Sequence, residues 1–248
     1  MARKIVVTIP KGGAGKTTTA VNLATALQLL GQKTLLVDLD PGADATLSVG
    51  LNADELPYNI NHLFTTRHVQ PEEVITATSF GLDIMPGHRS LGDTEAGMQP
   101  SQIGILRSLI GPIEDQYDVI VIDTPNSKGY LPIVALAVAN DVVIPLQAQF
   151  LAFEKLAGLL KKIDEVKQGL NDGIRVDGIL PVMIRVRTNM SNAVVQQAKA
   201  LYPHLVYPIQ VNDSTKHSEA TTAGVPIVIY EPGQQGSLAY MKLAERFN

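Results

Sequence analysis

The chain has 248 residues, 45% of them apolar and 18% charged, with no cysteine and a formal net charge of −4. That length and apolar share suit one large α/β domain around a sizeable core. The missing cysteines exclude disulfides, thiolate metal sites, iron–sulfur clusters and a cysteine nucleophile. No apolar run of about 18 residues offers a membrane span, and the opening MARKIVVTIPKGG lacks the order of a signal peptide, which predicts a cytosolic protein.

Short apolar runs recur at 4–9, 33–38, 82–85, 118–123, 141–146, 176–184 and 205–211. They are continuous rather than alternating, the pattern of strands covered on both faces and hence of a mostly parallel sheet. Helical patterns fall between them at 16–30, 101–114, 130–139, 151–169, 189–201 and 235–246. In the first, Ala20, Leu23, Ala24, Leu27 and Leu30 follow the 3.6-residue period, and Gly31 sits where a C-terminal cap is wanted. Strand and helix in alternation predict a doubly wound α/β fold with helices on both faces of the sheet. The segment 50–100 is less periodic and reads as short helices and loops across one sheet edge, all within a single domain spanning 1–248.

The stretch Lys11-Gly12-Gly13-Ala14-Gly15-Lys16-Thr17-Thr18 follows the first strand and opens the first helix. In that context glycines let backbone N–H groups approach phosphate oxygens, and the helix N-terminus adds its positive dipole end. Lys16 would contact the β- and γ-phosphates of a nucleoside triphosphate, and Thr17 would ligate Mg²⁺. Asp38 and Asp40 end the second strand at the edge where this loop opens. Asp123 closes a buried strand, as a carboxylate reaching Mg²⁺ through water does. Each of these aspartates has the plainer alternative of capping the next turn.

The general P-loop pattern asks for Gly at position 10, where this chain has Pro10. The loop instead resembles the deviant Walker A motif of the ParA/MinD family, in which a signature lysine, here Lys11, precedes the glycine pair. The resemblance runs along nearly the whole chain, through Leu35–Pro41, Val119–Pro125, Pro145–Gln147 and Ser218–Ala220. It implies a P-loop ATPase that uses ATP and Mg²⁺, with Gly12, Gly13, Ala14, Gly15, Lys16, Thr17, Thr18, Met183 and Asn212 binding the nucleotide. Thr17, Asp38 and Asp123 would hold the metal shell, while Lys11, Lys16 and Asp40 serve catalysis, Asp40 by orienting or deprotonating the attacking water. Two subunits would sandwich two ATP molecules, with Lys11 reaching the partner's phosphates. The alternative for Lys11 is a surface lysine beside the loop. Where the family usually continues Asp-Pro-Gln-Gly-Asn, this chain has Asp40-Pro41-Gly42-Ala43-Asp44, and Asn126 replaces a second proline after Asp123.

ParA-type relatives bind DNA nonspecifically as ATP dimers; MinD-type relatives insert a C-terminal amphipathic helix into membrane. The tail from Gly236 to Asn248 reads as a last core helix without a further basic apolar segment, so membrane anchoring is not expected. Residues 150–216 hold nine Lys/Arg against six Asp/Glu, a basic excess in an acidic chain. Within it Arg185, Arg187, Lys199 and Lys216 are the candidate DNA contacts, although Asn212-Asp213 stands where relatives commonly carry Pro-Arg. The resemblance thus implies a cytoplasmic, nucleoid-associated ATPase that spaces plasmid, chromosome or carboxysome cargo and answers to a cargo-bound adaptor. A MinD-like membrane regulator and a cofactor-assembly ATPase on the same scaffold remain as alternatives.

Overall fold

The structure is a computed structural model and describes residues 1–66, 68–149, 152–185 and 188–248. Among the described residues one sheet holds seven strands: β1 (Arg3–Val7), β2 (Thr34–Asp38), β3 (Thr76–Ala77), β4 (Asp83–Met85), β5 (Val119–Asp123), β6 (Asp141–Gln147) and β7 (Arg175–Val182). Their order is β3-β4-β2-β5-β1-β6-β7. All pairings are parallel except the short edge pair β3–β4. The doubly wound α/β fold expected from the alternation of strand and helix is the fold observed.

Period-two geometry explains why continuous apolar runs were needed. In β1, Val6 joins one apolar cluster and Ile5 and Val7 the other; in β5, Ile120 and Ile122 go with Val6, and Val119 and Val121 with Ile5. At the far end of the strands, fully buried Asp141 accepts from Arg3 of β1 (2.6 Å) and Arg175 of β7 (2.5 Å), tying three strands together.

The helix Lys16–Leu29 packs against β2, β5 and the helix Gln235–Ala244. Leu23 and Leu27 are fully buried, each contributing roughly 1.5–3 kcal/mol of hydrophobic stabilisation. Gly31 ends this helix in the left-handed region (φ 92°), as its position suggested. The final helix spends its apolar face on the core through Ala239, Tyr240, Leu243 and Ala244. Among the described residues no helix is long and apolar enough to cross a membrane.

Two expectations shift. The run 205–211 is not a strand: it lies alongside β7 through isolated parallel bridges at Val206 and Asn212. Pro208 lacks the N–H that a continuous ladder needs. The helix expected over 101–114 is divided into Ile105–Ile110 and a 3₁₀ segment Gly111–Gln116, because Gly111-Pro112 breaks the α-helical pattern. The segment 50–100 holds short helices and the sheet edge, and a further helix, Thr215–Thr222, carries the Ser-Glu-Ala segment.

Candidate active site

The strand order puts β1 at the centre, with β5 on one side and β6 on the other, so the loop after β1 opens at the crevice where ligands of open α/β sheets bind. Gly13 (φ 64°) and Gly15 (φ 80°) take left-handed backbone conformations that side chains rarely tolerate. They curl the loop into the start of the helix, and the Lys16 side chain folds back so that its Nζ donates to the Lys11 carbonyl (3.2 Å). Lys16 is buried; desolvation lowers its pKa, and the charges of Asp123, Asp40 and Asp44 counter that shift.

Asp38 and Asp123 face each other as register partners of β2 and β5, both fully buried. Asp38 is committed to the protein. Its Oδ1 accepts from the Asp40 N–H (3.1 Å), and its Oδ2 from the Thr46 N–H (2.9 Å) and hydroxyl (2.7 Å). Burial nevertheless pushes its pKa up to about 6. Among the described residues neither buried oxygen of Asp123 has a well-formed hydrogen-bond partner. Burial and then the charge of Asp38 raise its pKa well above the usual carboxylate range, with Thr17 and Lys16 beside it pulling the other way.

An orphaned buried carboxylate next to a threonine hydroxyl fits Mg²⁺. No group of three or more His, Cys, Asp or Glu among the described residues could hold a metal alone, and Mg²⁺ typically takes one or two protein oxygens plus phosphates and water. Thr17 and Asp123 are therefore the residues that would hold it, while Asp38, through its bond to Asp40, sets the backbone that presents the next carboxylate. Half-buried Asp40 accepts from the Gly42 N–H through Oδ1 (2.9 Å).

A cavity of about 380 Å³ adjoins the loop, walled by Gly15, Thr18, Met183, Asn212 and His217. This brings Met183 and Asn212, distant in sequence, beside the phosphate loop. Met183 holds an unusual left-handed backbone (φ 54°), and its Cε would lie 3.7 Å from a Cβ on Gly15. The Asn212 side-chain oxygen accepts from Gln210 (3.0 Å).

Lys11 stands apart from Lys16. Its Nζ donates to Oε1 of Gln147 and of Gln149 (2.7 Å for the latter), at and just beyond the end of β6. Burial lowers its pKa. The basic candidates are scattered and largely paired: Arg185 with Asp213 (2.9 Å) and Lys216 with Glu219 (2.7 Å). Lys199 is exposed on the helix Asn189–Leu201, and Arg187 lies outside the described residues.

Three side-chain positions of this site carry no sequence signal. The Thr46 hydroxyl also accepts from the Gly87 N–H (2.9 Å). A Cβ at Gly87 would meet the Asp38 carboxylate at 2.7 Å, so only glycine fits there. His217 has both ring nitrogens buried without hydrogen-bond partners among the described residues.

The family model for the AAA domain matches residues 2–176. The sporulation initiation inhibitor protein Soj of Bacillus subtilis is 34% identical over 248 residues, covering 99% of this chain and 98% of Soj. The chromosome partitioning protein ParA of Myxococcus xanthus is 36% identical, covering 98% and 87%. The chain belongs to the ParA/MinD family of ATPases. Among solved structures, that of cobyrinic acid a,c-diamide synthase from Mycobacterium smegmatis with bound ADP and magnesium matches with a TM-score of 0.86 at 29% identity, over 99% of this chain and 93% of that one. This ParA/MinD-family ATPase thus gathers its phosphate loop, aspartates and cavity at the C-terminal ends of the parallel strands.

Proposed function

We propose that residues 1–248 act as one ATP-driven positioning module. ATP with Mg²⁺ closes a two-subunit sandwich, the dimer holds DNA nonspecifically, and an adaptor on the cargo stimulates hydrolysis and release. The observation that carries this reading is the different address of the two loop lysines: Lys16 folds into its own phosphate loop, whereas Lys11 points away from it toward Gln147 and Gln149. A cation so placed has no duty to its own nucleotide and, once released from the two glutamines, can serve a partner's. Full-length similarity to chromosome-partitioning proteins supports cargo segregation. It favours that role over the amide synthesis for which the less similar Mycobacterium structure is named.

Chemistry needs only positioning and charge neutralisation from the protein. Lys16 and the loop N–H groups hold the phosphates, Thr17 and Asp123 the Mg²⁺, and Asp40 the attacking water. Arg185, Arg187, Lys199 and Lys216 are the proposed DNA contacts. Arg185 and Lys216 would exchange Asp213 and Glu219 for phosphates, so the affinity comes from a dimer-wide surface in a cytoplasmic, nucleoid-bound protein.

Asp40→Ala tests this. The variant should bind ATP, form a trapped dimer seen by sedimentation, and give a DNA gel shift that weakens steeply with salt. A variant that stays monomeric with ATP would refute the role of Asp40. Liposome binding with no ATP-dependent DNA shift would move the protein to the membrane-regulator class.

A further inference from the structure

The loop after β5 carries an asparagine that nothing above uses. Asn126 is exposed, and its side chain has no hydrogen-bond partner among the described residues. Its Nδ2 stands over the phosphate loop, 2.8 Å from where a Cβ on Gly12 would lie. The amide therefore lies beside a backbone segment that would cradle the phosphates of a bound nucleotide.

The rest of this loop is held by one side chain from the edge of the domain. Glu95, in the short helix Leu91–Gly97, accepts through Oε1 from the Ser127 hydroxyl (2.8 Å) and the Leu131 N–H (2.9 Å). The fit is close enough that a Cβ on Gly129 would come within 2.3 Å of the same oxygen. Ser127, Gly129 and Leu131 thus wrap around a single acceptor, which fixes the loop on the side that carries Asn126. In P-loop GTPases switch segments are ordered by contacts that depend on the last phosphate and are released when it is lost.

We propose that Asn126 contacts the γ-phosphate of bound ATP through its amide, and that Glu95 is the positioning residue that holds it over the phosphate loop. This goes beyond the reading above and rests only on the chain being an ATPase. The contact lies within one subunit, so a chain that failed to dimerise or bind DNA would sink the proposed function and leave this measurement readable.

The test compares a fluorescent ADP with a non-hydrolysable ATP analogue on the intact protein, with oligomeric state followed by sedimentation. Asn126→Ala should leave ADP affinity within about two-fold and weaken the ATP analogue about ten-fold, the worth of one charge-assisted hydrogen bond. Glu95→Ala should move the ratio in the same direction. Glu95→Gln should restore it, because the amide oxygen keeps the acceptor that Ser127 and Leu131 use. Hydrogen exchange on the nucleotide-free protein gives a second readout: the Leu131 amide should exchange faster in Glu95→Ala and not in Glu95→Gln. If Glu95→Ala fails to fold, Gly129→Ala displaces the same carboxylate and should shift the nucleotide ratio alike. Equal losses for ADP and the ATP analogue in Asn126→Ala, or no loss for either, would overturn the role of Asn126. A Glu95→Gln variant as impaired as Glu95→Ala would overturn the positioning role.

Discussion

Asp38 and Asp123 are paired in register at the ends of adjacent parallel strands; Asp38 accepts three hydrogen bonds, while the oxygens of Asp123 have no well-formed partner among the described residues. Both sit in full burial, where two like charges are costly and a proton or a cation relieves them. The strand pairing that builds the sheet thereby creates a site costly to leave empty.

That cost is measurable in Asp123→Asn. Burial raises the folded pKa of Asp38 from 3.8 to about 6 and that of Asp123 well above its usual value. Between the unfolded and folded values the folded state keeps protons the unfolded chain has released, so stability falls as pH rises through that window and the loss stays constant above it. The variant should be more stable than the parent at pH 7.5 by about 1–3 kcal/mol, with the difference shrinking toward pH 4. It should also lose the extra thermal stabilisation that Mg²⁺ adds to ATP. Melting curves at several pH values check both; a variant less stable than the parent at pH 7.5 would refute the account.

Ala43 adopts the left-handed conformation (φ 52°) in the turn between Asp40 and the short helix Asp44–Ser48. The family motif this stretch resembles has glycine at this position, and alanine pays a steric penalty there. Ala43→Gly should therefore stabilise the fold by about 0.5–1 kcal/mol after the glycine's larger unfolded-state entropy is subtracted. The melting temperature should rise by roughly 1–4 °C. A lower melting temperature would show that the turn is held by contacts with the methyl group.

The parts of the site legible in the sequence are those built from contiguous residues. Lys11 to Thr18 announce a phosphate loop because strand, glycines and helix follow in order, and Asp38 and Asp123 are visible as polar ends of buried runs. Thr46, Gly87 and Glu95 were not legible, since each acts on a residue far along the chain and belongs to no periodic pattern. Met183 and Asn212 could be assigned only through the family; Met183 reaches the cavity directly from the end of β7, and Asn212 because its stretch of chain bridges to Ile184 just beyond that strand. The same segment shows why apolar runs overpredict strands: 205–211 has the composition, but Pro208 withholds the donor.

His217 lines the nucleoside-sized cavity with both ring nitrogens unsatisfied, wedged against Gly236, where a Cβ would come within 2.7 Å of the ring, and edge-on to Tyr240. Burial lowers its pKa below 6.5, with the charge of Asp213 opposing. Below that pH the unfolded chain takes up a proton that the folded state refuses, so stability falls with acidification. His217→Leu should add about 1 kcal/mol at pH 7.5 by removing orphaned polar atoms, and more at pH 5.5. Urea denaturation at the two pH values checks this, and a gain that shrinks at the lower pH would contradict it.

The Lys11 ammonium is already engaged within its own subunit by Gln147 and Gln149. If Lys11 completes a partner's site, closing the dimer must first break these bonds, and the two glutamines set a threshold for closure. Replacing both with alanine should lower the ATP concentration for half-maximal dimerisation by roughly five-fold, as expected for about 1 kcal/mol of hydrogen bonding removed from the open state. Lys11→Ala should act in the opposite direction, weakening closure and hydrolysis while sparing nucleotide binding to the monomer. Sedimentation across an ATP titration, with nucleotide affinity measured on dilute protein, separates the two effects. Normal turnover in Lys11→Ala would remove the trans role, and unchanged dimerisation in the double glutamine variant would reduce the bonds at β6 to a resting place with no energetic consequence.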